Sequence, residues 1–367
     1  MKKDILTLIA LAMMSMASAQ IIPIDTTNWD IQAESYVLEN FGGKDAIYLK
    51  GGSMTLKNRK FLNGTIEYDI YLKEVRGFPG IYFRTQENED AEQFYIRPHQ
   101  SGNPDATQAT PTTRGITPWQ LYHGPKYSFA YEFNYETWTH VKIVVNDNQV
   151  QVFLDWSDKP QLSWNTFNET LAGGITIVGG NQTGLHIADV KISTEPPVIS
   201  DFSPIENESL ERLIPAWSIS DKFSEELLEN SDRLATVLSD RKWVGSIEPE
   251  EGLAANISRI HNLFDGSGKN TVLAKITINS ESDQRKLFEF GYSDRVVAIL
   301  NGKPIYKGNN RFRSRDYRYL GTIGLFDAIF LDLKKGDNEL IMAVSEDFGG
   351  WLITGRLKNQ DGIKKIK

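Results

Sequence analysis

Side chains that could bind a polar ligand are concentrated between Arg84 and His123. Amide, guanidinium and imidazole groups hydrogen-bond hydroxyl groups, and planar aromatic rings stack on the apolar faces of sugar rings. The candidate ligand-binding residues are Arg84, Arg97, His99, Gln100, Asn103, Trp119, Gln120, Tyr122 and His123. This mixture predicts a carbohydrate site rather than a nucleotide or metal site.

The aromatic candidates Trp119 and Tyr122 lie in a segment with loop character. Pro118 precedes Trp119, and a His-Gly-Pro sequence follows Tyr122. Because binding residues are frequent on loops, we expect at least one of the two rings to contact a ligand. The alternative is that both rings belong to the core.

The same loop offers His99, Asn103 and Asp105 as ligands for a cation such as Ca²⁺. Calcium takes six to eight oxygen ligands, and this loop has few carboxylates. Asn and Asp side chains also order loops by hydrogen-bonding nearby backbone groups. We therefore predict no metal and no cofactor, with Ca²⁺ as the alternative.

Three residues are candidates for acid–base catalysis. Glu67 and Asp69 lie two apart in a predicted strand and so share one of its faces. His99 has an imidazole, whose unperturbed pKa of about 6.5 suits a general base. No nucleophilic Ser or Cys motif accompanies them, so their roles stay unassigned. The alternative is that the two carboxylates form the polar outer face of a half-buried strand.

The charge of the chain bears on its partners. The formal net charge is −8, which argues against nucleic acid, because a polyanionic backbone needs a basic face. One basic cluster stands out: Arg311, Arg313, Arg315 and Arg318. Such a cluster is usually a solvated loop paired with carboxylates. The alternative is capture of an acidic glycan or of a protein partner in the cell envelope.

The first residues have the pattern of a secretory signal peptide. Lys2 and Lys3 precede an apolar run, and Ala17 and Ala19 give a small-x-small cleavage site. We expect residues 1–19 to be removed and the protein to be periplasmic, extracellular or on the cell surface. No later segment approaches the about 20 apolar residues of a transmembrane helix. The chain has no cysteine, so no disulfide can stabilise it.

Short alternating segments separated by Gly, Asn and Asp predict an all-β protein of two sandwiches. We expect one domain at residues 20–195, followed by a linker and helical connector at 196–242. A second domain should occupy 243–360, before a solvated basic tail at 361–367. In the connector, Ser224 is a candidate N-cap for a helix reaching Leu238. Asn301-Gly302 and Asn146-Asp147-Asn148 predict tight turns.

The first domain resembles the concanavalin A-like lectin/glucanase sandwiches, including laminin-G-like and 3-keto-disaccharide hydrolase-like modules. The segments that carry the resemblance begin at Leu62, Gly80, Glu136, Val150 and Ile187. The resemblance implies a lectin, a glycosidase or an adhesion module. Retaining glucanases of this fold have a Glu-x-Asp-x-x-Glu strand, whose third carboxylate is replaced here by Leu72.

The second domain resembles galactose-binding-like jelly rolls, which often accompany secreted glycosidases. The resemblance rests on the segments that begin at Phe290, Leu333 and Glu346. From the residues and both resemblances we expect a secreted bacterial carbohydrate-binding protein that uses loops of its first sandwich. A glycoside hydrolase with an accessory jelly roll is one alternative. An envelope adhesion or structural protein is the other.

Overall fold

The protein is all-β, as the sequence predicted. A computed structural model describes residues 20–367 except 181, 182, 231, 232, 312 and 314. The predicted signal peptide lies outside the described residues. In the part of the chain that is described, no helix is long and apolar enough to cross a membrane.

One twelve-stranded antiparallel sheet contains all strands up to Ser193. Its strands are β1 (Gln20–Ile21), β2 (Trp29–Phe41), β3 (Lys44–Leu56), β4 (Gly64–Leu72), β5 (Gly80–Thr85), β6 (Ala91–Ile96), β7 (Thr107–Thr112), β8 (Thr137–Asn146), β9 (Gln149–Leu154), β10 (Leu162–Asn165), β11 (Gly174–Val178) and β12 (Leu185–Ser193). Their order is β10-β9-β8-β4-β12-β3-β11-β5-β6-β7, with β1 on β12 and β2 on β3.

This sheet curls until its two ends face each other across one core. Alternate residues of β4 and β8, such as Ile66 and Ile143, are fully buried and pack in the same cluster as Phe83 of β5. Phe94 of β6 stacks on Trp164 of β10, with ring centroids 6.4 Å apart. Contact between opposite ends of the strand order makes the sheet a sandwich, because the inner face of the curled sheet buries its apolar side chains.

The second sandwich has a seven-stranded and a five-stranded sheet. The first contains β13 (Trp217–Ser220), β14 (Trp243–Ile247), β17 (Thr271–Ser280), β19 (Arg295–Leu300), β20 (Lys303–Asn309), β22 (Gly336–Ser345) and β24 (Ile363–Ile366). The second contains β15 (Pro249–Glu250), β16 (Ala254–Asn256), β18 (Gln284–Ser293), β21 (Asp327–Leu333) and β23 (Leu352–Leu357). Buried residues of both sheets, including Trp217 and Phe288, form one core.

The predicted tight turns join adjacent strands. Asn301 and Gly302 both have positive φ, 50° and 76°, between paired residues of β19 and β20. Asp147 has a φ of 49° in the turn between β8 and β9. Positive φ is tolerated by Gly and Asn, which is why the sequence marks such turns.

The connector and the tail differ from their predictions. Trp217–Ser220, inside the predicted connector, forms a strand that pairs with β17 of the second sandwich. Instead of one helix there are a 3-10 turn at Glu225–Leu228 and a short helix α1 (Leu234–Ser239), and Ser224 makes no side-chain cap. The predicted solvated tail instead contributes β24, because it pairs with β17 and its partly buried Ile363 and Ile366 pack against the core.

The two sandwiches share an apolar cluster and several polar contacts. Tyr122 and Tyr127 of the first pack with Ala254, Ile323 and Leu352 of the second. The Tyr122 hydroxyl donates to Glu250 Oε2 at 2.6 Å, and Lys126 pairs with Glu251 at 2.8 Å. These contacts bring the loop after β7 against the second sandwich.

Candidate functional site

A cavity of about 370 Å³ lies where the loop after β7 meets the second sandwich. Its size is within the usual range of small-molecule sites, about 300–1,000 Å³. Seven aromatic residues line it: Phe78, Tyr82, Tyr95, Trp119, Tyr292, Phe326 and Phe348. Its polar lining includes Gln93, Gln120, Ser293, Asp294, Asn310 and four arginines. We call this space the interface cavity.

Three of the predicted ligand-binding residues line the interface cavity: Arg97, Trp119 and Gln120. Trp119 stacks on Phe348 of the second sandwich, with ring centroids 5.4 Å apart and planes inclined by 29°. Gln120 is buried, and its Nε2 donates to Ser293 Oγ at 3.3 Å. The cavity wall is therefore built jointly by both sandwiches.

Arg97 is held in place by buried polar partners. Its Nη1 donates to Asp105 Oδ1 at 2.8 Å, and its Nη2 donates to the Tyr95 hydroxyl at 2.7 Å. Gln108 accepts a further hydrogen bond from the same nitrogen. Because its charge is neutralised by Asp105, Arg97 shapes the wall of the cavity more than it supplies free charge.

Two buried carboxyl groups lie side by side at the cavity. Asp294 lines the interface cavity and is 4% exposed, while Glu346 is fully buried behind it. Glu346 Oε1 accepts three backbone hydrogen bonds, from residues Asp347, Phe348 and Gly349, and Oε2 accepts one from Ser293. Burial and the neighbouring Asp294 raise the pKa of Glu346 to about 8. Burial also raises the pKa of Asp294.

Arginines from both sandwiches give the cavity positive charge. Arg76 lies on the first sandwich, and Arg313 and Arg315 lie on the loop after β20. Arg315 pairs with Asp327 at 3.3 Å. In the described ranges no carboxylate lies within ion-pair distance of Arg76 or Arg313, and both side chains are exposed.

Three predicted ligand-binding residues do not line the cavity and are held by other parts of the fold. Arg84 is buried and donates to the backbone oxygens of Leu62 and Asp147. Tyr122 is 2% exposed in the shared cluster between the sandwiches. The His123 ring lies 2.9 Å from the Gln120 backbone oxygen through Nδ1.

The loop that was the alternative cation site is ordered by its own hydrogen bonds. Asn103 Nδ2 donates to Gln100 Oε1 at 3.0 Å. Asp105 is engaged by Arg97 and by the backbone of Leu320. Across the described residues no group of three or more His, Asp or Glu is placed to hold a metal ion.

His99 lies beside the cavity without lining it. Its ring packs edge-on against Phe78, with centroids 5.4 Å apart. Burial, together with the charges of Arg76 and Arg97, lowers its pKa to about 4. The imidazole is therefore neutral at physiological pH.

Glu67 and Asp69 share a face, as predicted, but lie in a charge network on the outer face of the first sandwich. His140 is between them, with Nδ1 2.6 Å from Asp69 Oδ1 and Nε2 3.4 Å from Glu67 Oε2. Lys44 pairs with Asp69, and the exposed Trp156 stacks on His140 at 3.5 Å. None of these residues lines the interface cavity.

Sequence reasoning missed the part of the cavity that the second sandwich contributes. Tyr292, Ser293 and Asp294 stand at the end of β18, and Phe348 follows β22. The sequence signals for it were the Phe290 and Glu346 segments, which were interpreted as fold signatures, and the basic cluster, of which Arg313 and Arg315 line the cavity. Their position opposite Trp119 depends on how the two sandwiches dock.

Known proteins resemble the chain only remotely. No family model and no curated protein matches it. A Bacillus licheniformis β-glucanase is 11% identical, covering 48% of this chain and 96% of its own, with a TM-score of 0.36. The Bacillus subtilis carbohydrate-binding module CBM66 is 12% identical over 46% and 92%, with a TM-score of 0.32.

A galectin from Caenorhabditis elegans is similar to the same degree. It is 13% identical, covers 47% of this chain and 99% of its own, and has a TM-score of 0.30. The three similar structures are thus a β-glucanase, a carbohydrate-binding module and a galectin. At these TM-scores we draw no conclusion from them about ligand or activity.

Proposed function

We propose that the protein binds a carbohydrate in the interface cavity. The observation that carries this proposal is the combination of seven aromatic residues with amide, hydroxyl and guanidinium groups around one space of about 370 Å³. Aromatic faces stack on sugar rings, and a few fixed polar groups select among hydroxyl patterns. The cavity differs from the site expected from the sequence, because 13 of its 23 lining residues come from the second sandwich.

Isothermal titration calorimetry against a panel of plant, algal and host oligosaccharides tests this proposal. Trp119→Ala should weaken binding of the best ligand by about 1–3 kcal/mol if the ring is an anchor. Trp243→Ala is the matched control, because Trp243 is 40% exposed and does not line the cavity. If Trp119→Ala fails to fold, Tyr82→Phe is the second variant to measure, because it removes only a hydroxyl group from the cavity lining. Failure of the whole panel to bind at millimolar concentration would contradict the proposal.

Glycoside cleavage is a second candidate function, favoured by the Asp294–Glu346 pair. Asp294 is the member of the pair that lines the cavity, and burial raises its pKa, so its carboxyl group can hold a proton and act as a general acid, one of the two carboxyl roles in glycoside hydrolysis. Reducing-sugar release from the bound glycan tests it. Asp294→Asn should abolish release, while Glu67→Gln should leave it unchanged. Release that survives Asp294→Asn would remove this pair from consideration.

Export through a signal peptide and an envelope protein partner remain predictions of the sequence. Arg311 and Arg318, two members of the basic cluster, pair with Asp347 and Asp316 at 3.1 and 2.6 Å. Those pairs favour a solvated loop over a protein-binding surface for these two residues. Carbohydrate binding therefore stands ahead of adhesion.

A further inference from the structure

Charge is unevenly distributed around the interface cavity. Arg76, Arg97, Arg313 and Arg315 line it, whereas Asp294 is the one carboxylate among the described lining residues. Asp105 neutralises Arg97, and Asp327 neutralises Arg315. The two remaining guanidinium groups, Arg76 and Arg313, give the cavity a local positive excess in a chain whose net charge is −8.

We propose that the ligand is an anionic saccharide, whose carboxylate or sulfate group is bound by Arg76 and Arg313; this inference rests on the proposed function. The guanidinium group presents N–H donors in a planar fork that matches both anions, and it binds them in bidentate fashion. A neutral sugar would leave both charges without a partner. The exposure of the two side chains places the anion at the entrance of the cavity.

The polar residues deeper in the lining determine where the rest of the ligand lies. Asp294 is buried at the cavity beside Glu346, and its carboxyl oxygens can accept hydrogen bonds from hydroxyl groups. Gln120 and Ser293 lie on the same side. The sugar hydroxyls therefore point towards Asp294, and the anionic substituent points towards the arginines.

The aromatic rings next to the arginines are consistent with this orientation. The Arg76 guanidinium lies 5.8 Å from the centroid of Phe78, and that of Arg315 lies 5.9 Å from Phe326. Cations held over aromatic faces stay close to an apolar surface. A sugar ring can then stack on one residue while its acidic substituent reaches the neighbouring charge.

Paired ligands separate charge from sugar identity. Calorimetry would compare oligogalacturonate with its methyl ester, and sulfated with unsulfated cello-oligosaccharide. We expect at least one anionic member to bind at least about tenfold more tightly than its neutral partner, as for hydrogen bonds to charged groups. Raising the salt concentration from about 0.05 to about 0.5 M should reduce the difference in affinity between the anionic and the neutral ligand. The arm that shows the preference identifies carboxylate or sulfate as the recognised group.

Variants assign the preference to residues. Arg76→Gln and Arg313→Gln should each reduce the affinity preference for the anionic ligand about tenfold. Both side chains are exposed, so the fold tolerates either change. Arg318→Gln, on the same loop but outside the cavity, should leave the preference unchanged. Equal affinity for the anionic and the neutral member of both ligand pairs overturns the inference while carbohydrate binding stands. A preference for the anionic member that survives both arginine variants does the same. If neither these ligands nor the wider panel bind, the proposed function fails with it.

Discussion

Arg97 and Asp105 form a buried ion pair that also ties the two sandwiches together. Arg97 Nη1 lies 2.8 Å from Asp105 Oδ1, and both side chains are 2% exposed. The other carboxylate oxygen, Oδ2, accepts the backbone N–H of Leu320 at 2.8 Å. One aspartate therefore neutralises a cavity arginine and fixes the facing loop of the second sandwich.

Removing Asp105 should destabilise the protein strongly. Asp105→Ala leaves the Arg97 charge buried without its carboxylate, which costs about 3–5 kcal/mol in comparable pairs. Urea unfolding followed by circular dichroism measures the free energy of unfolding. Asp332→Ala breaks the exposed pair with Arg285 and should have little effect. Equal losses of unfolding free energy in the two variants would show that the buried ion pair stabilises the protein no more than the exposed one.

Glu346 should make the protein less stable as the pH rises through neutrality. Burial and Asp294 raise the pKa of Glu346 to about 8, whereas an unfolded glutamate titrates near ~4.3. Between those values the folded state keeps a proton that the unfolded state has lost, so the free energy of unfolding falls with rising pH. One such group contributes at most about 1.4 kcal/mol per pH unit.

Glu346→Gln is the variant that checks this pH dependence. The amide keeps an oxygen for the backbone donors of Asp347 and its neighbours, and its N–H₂ group can donate to Asp294. The slope of unfolding free energy between about pH 5 and 8 should therefore flatten in the variant. A slope identical to that of the unchanged protein would mean that Glu346 is already ionised.

His140 should titrate above the usual range for histidine. Burial lowers its pKa, but hydrogen bonds with Asp69 and Glu67 outweigh that effect and raise it. The same contacts lower the pKa of both carboxyl groups. The stability from His140 is present below about pH 6.5 and is lost as the pH rises through its folded pKa. The stability contributed by the two carboxylates is present above about pH 4.3 and is lost on acidification.

Nuclear magnetic resonance titration of the His140 ring measures this pKa directly. His140→Gln should lower the free energy of unfolding more at about pH 5.5 than at about pH 8.5, because only the imidazolium gains from both carboxylates. Trp156→Ala removes the ring stacked on His140. This variant should keep the same sign of the pH dependence of the unfolding free energy. A His140 pKa below about 6.5 would contradict the network.

The sequence alone determined the strands and the tight turns. Alternating apolar residues mark strands such as Gly64–Leu72, Gln149–Leu154 and Arg295–Leu300, because this alternation depends only on neighbouring positions. The Asn301-Gly302 turn follows from backbone sterics at two residues. Local patterns predicted two segments wrongly. In the connector, Ser224 makes no side-chain cap and no single helix forms, and the tail forms β24 by pairing with the distant β17.

Only the tertiary structure decided which polar residues form a site. Arg97, Trp119 and Gln120 were among the predicted residues, but Arg84 and Tyr122, equally plausible by type, are bonded elsewhere in the fold. Asp294 is far from them in the chain and, with Glu346 buried behind it, comes to face them only through docking of the two sandwiches. Side-chain type is a property of one position, whereas burial, pairing and pKa depend on contacts between residues distant in sequence.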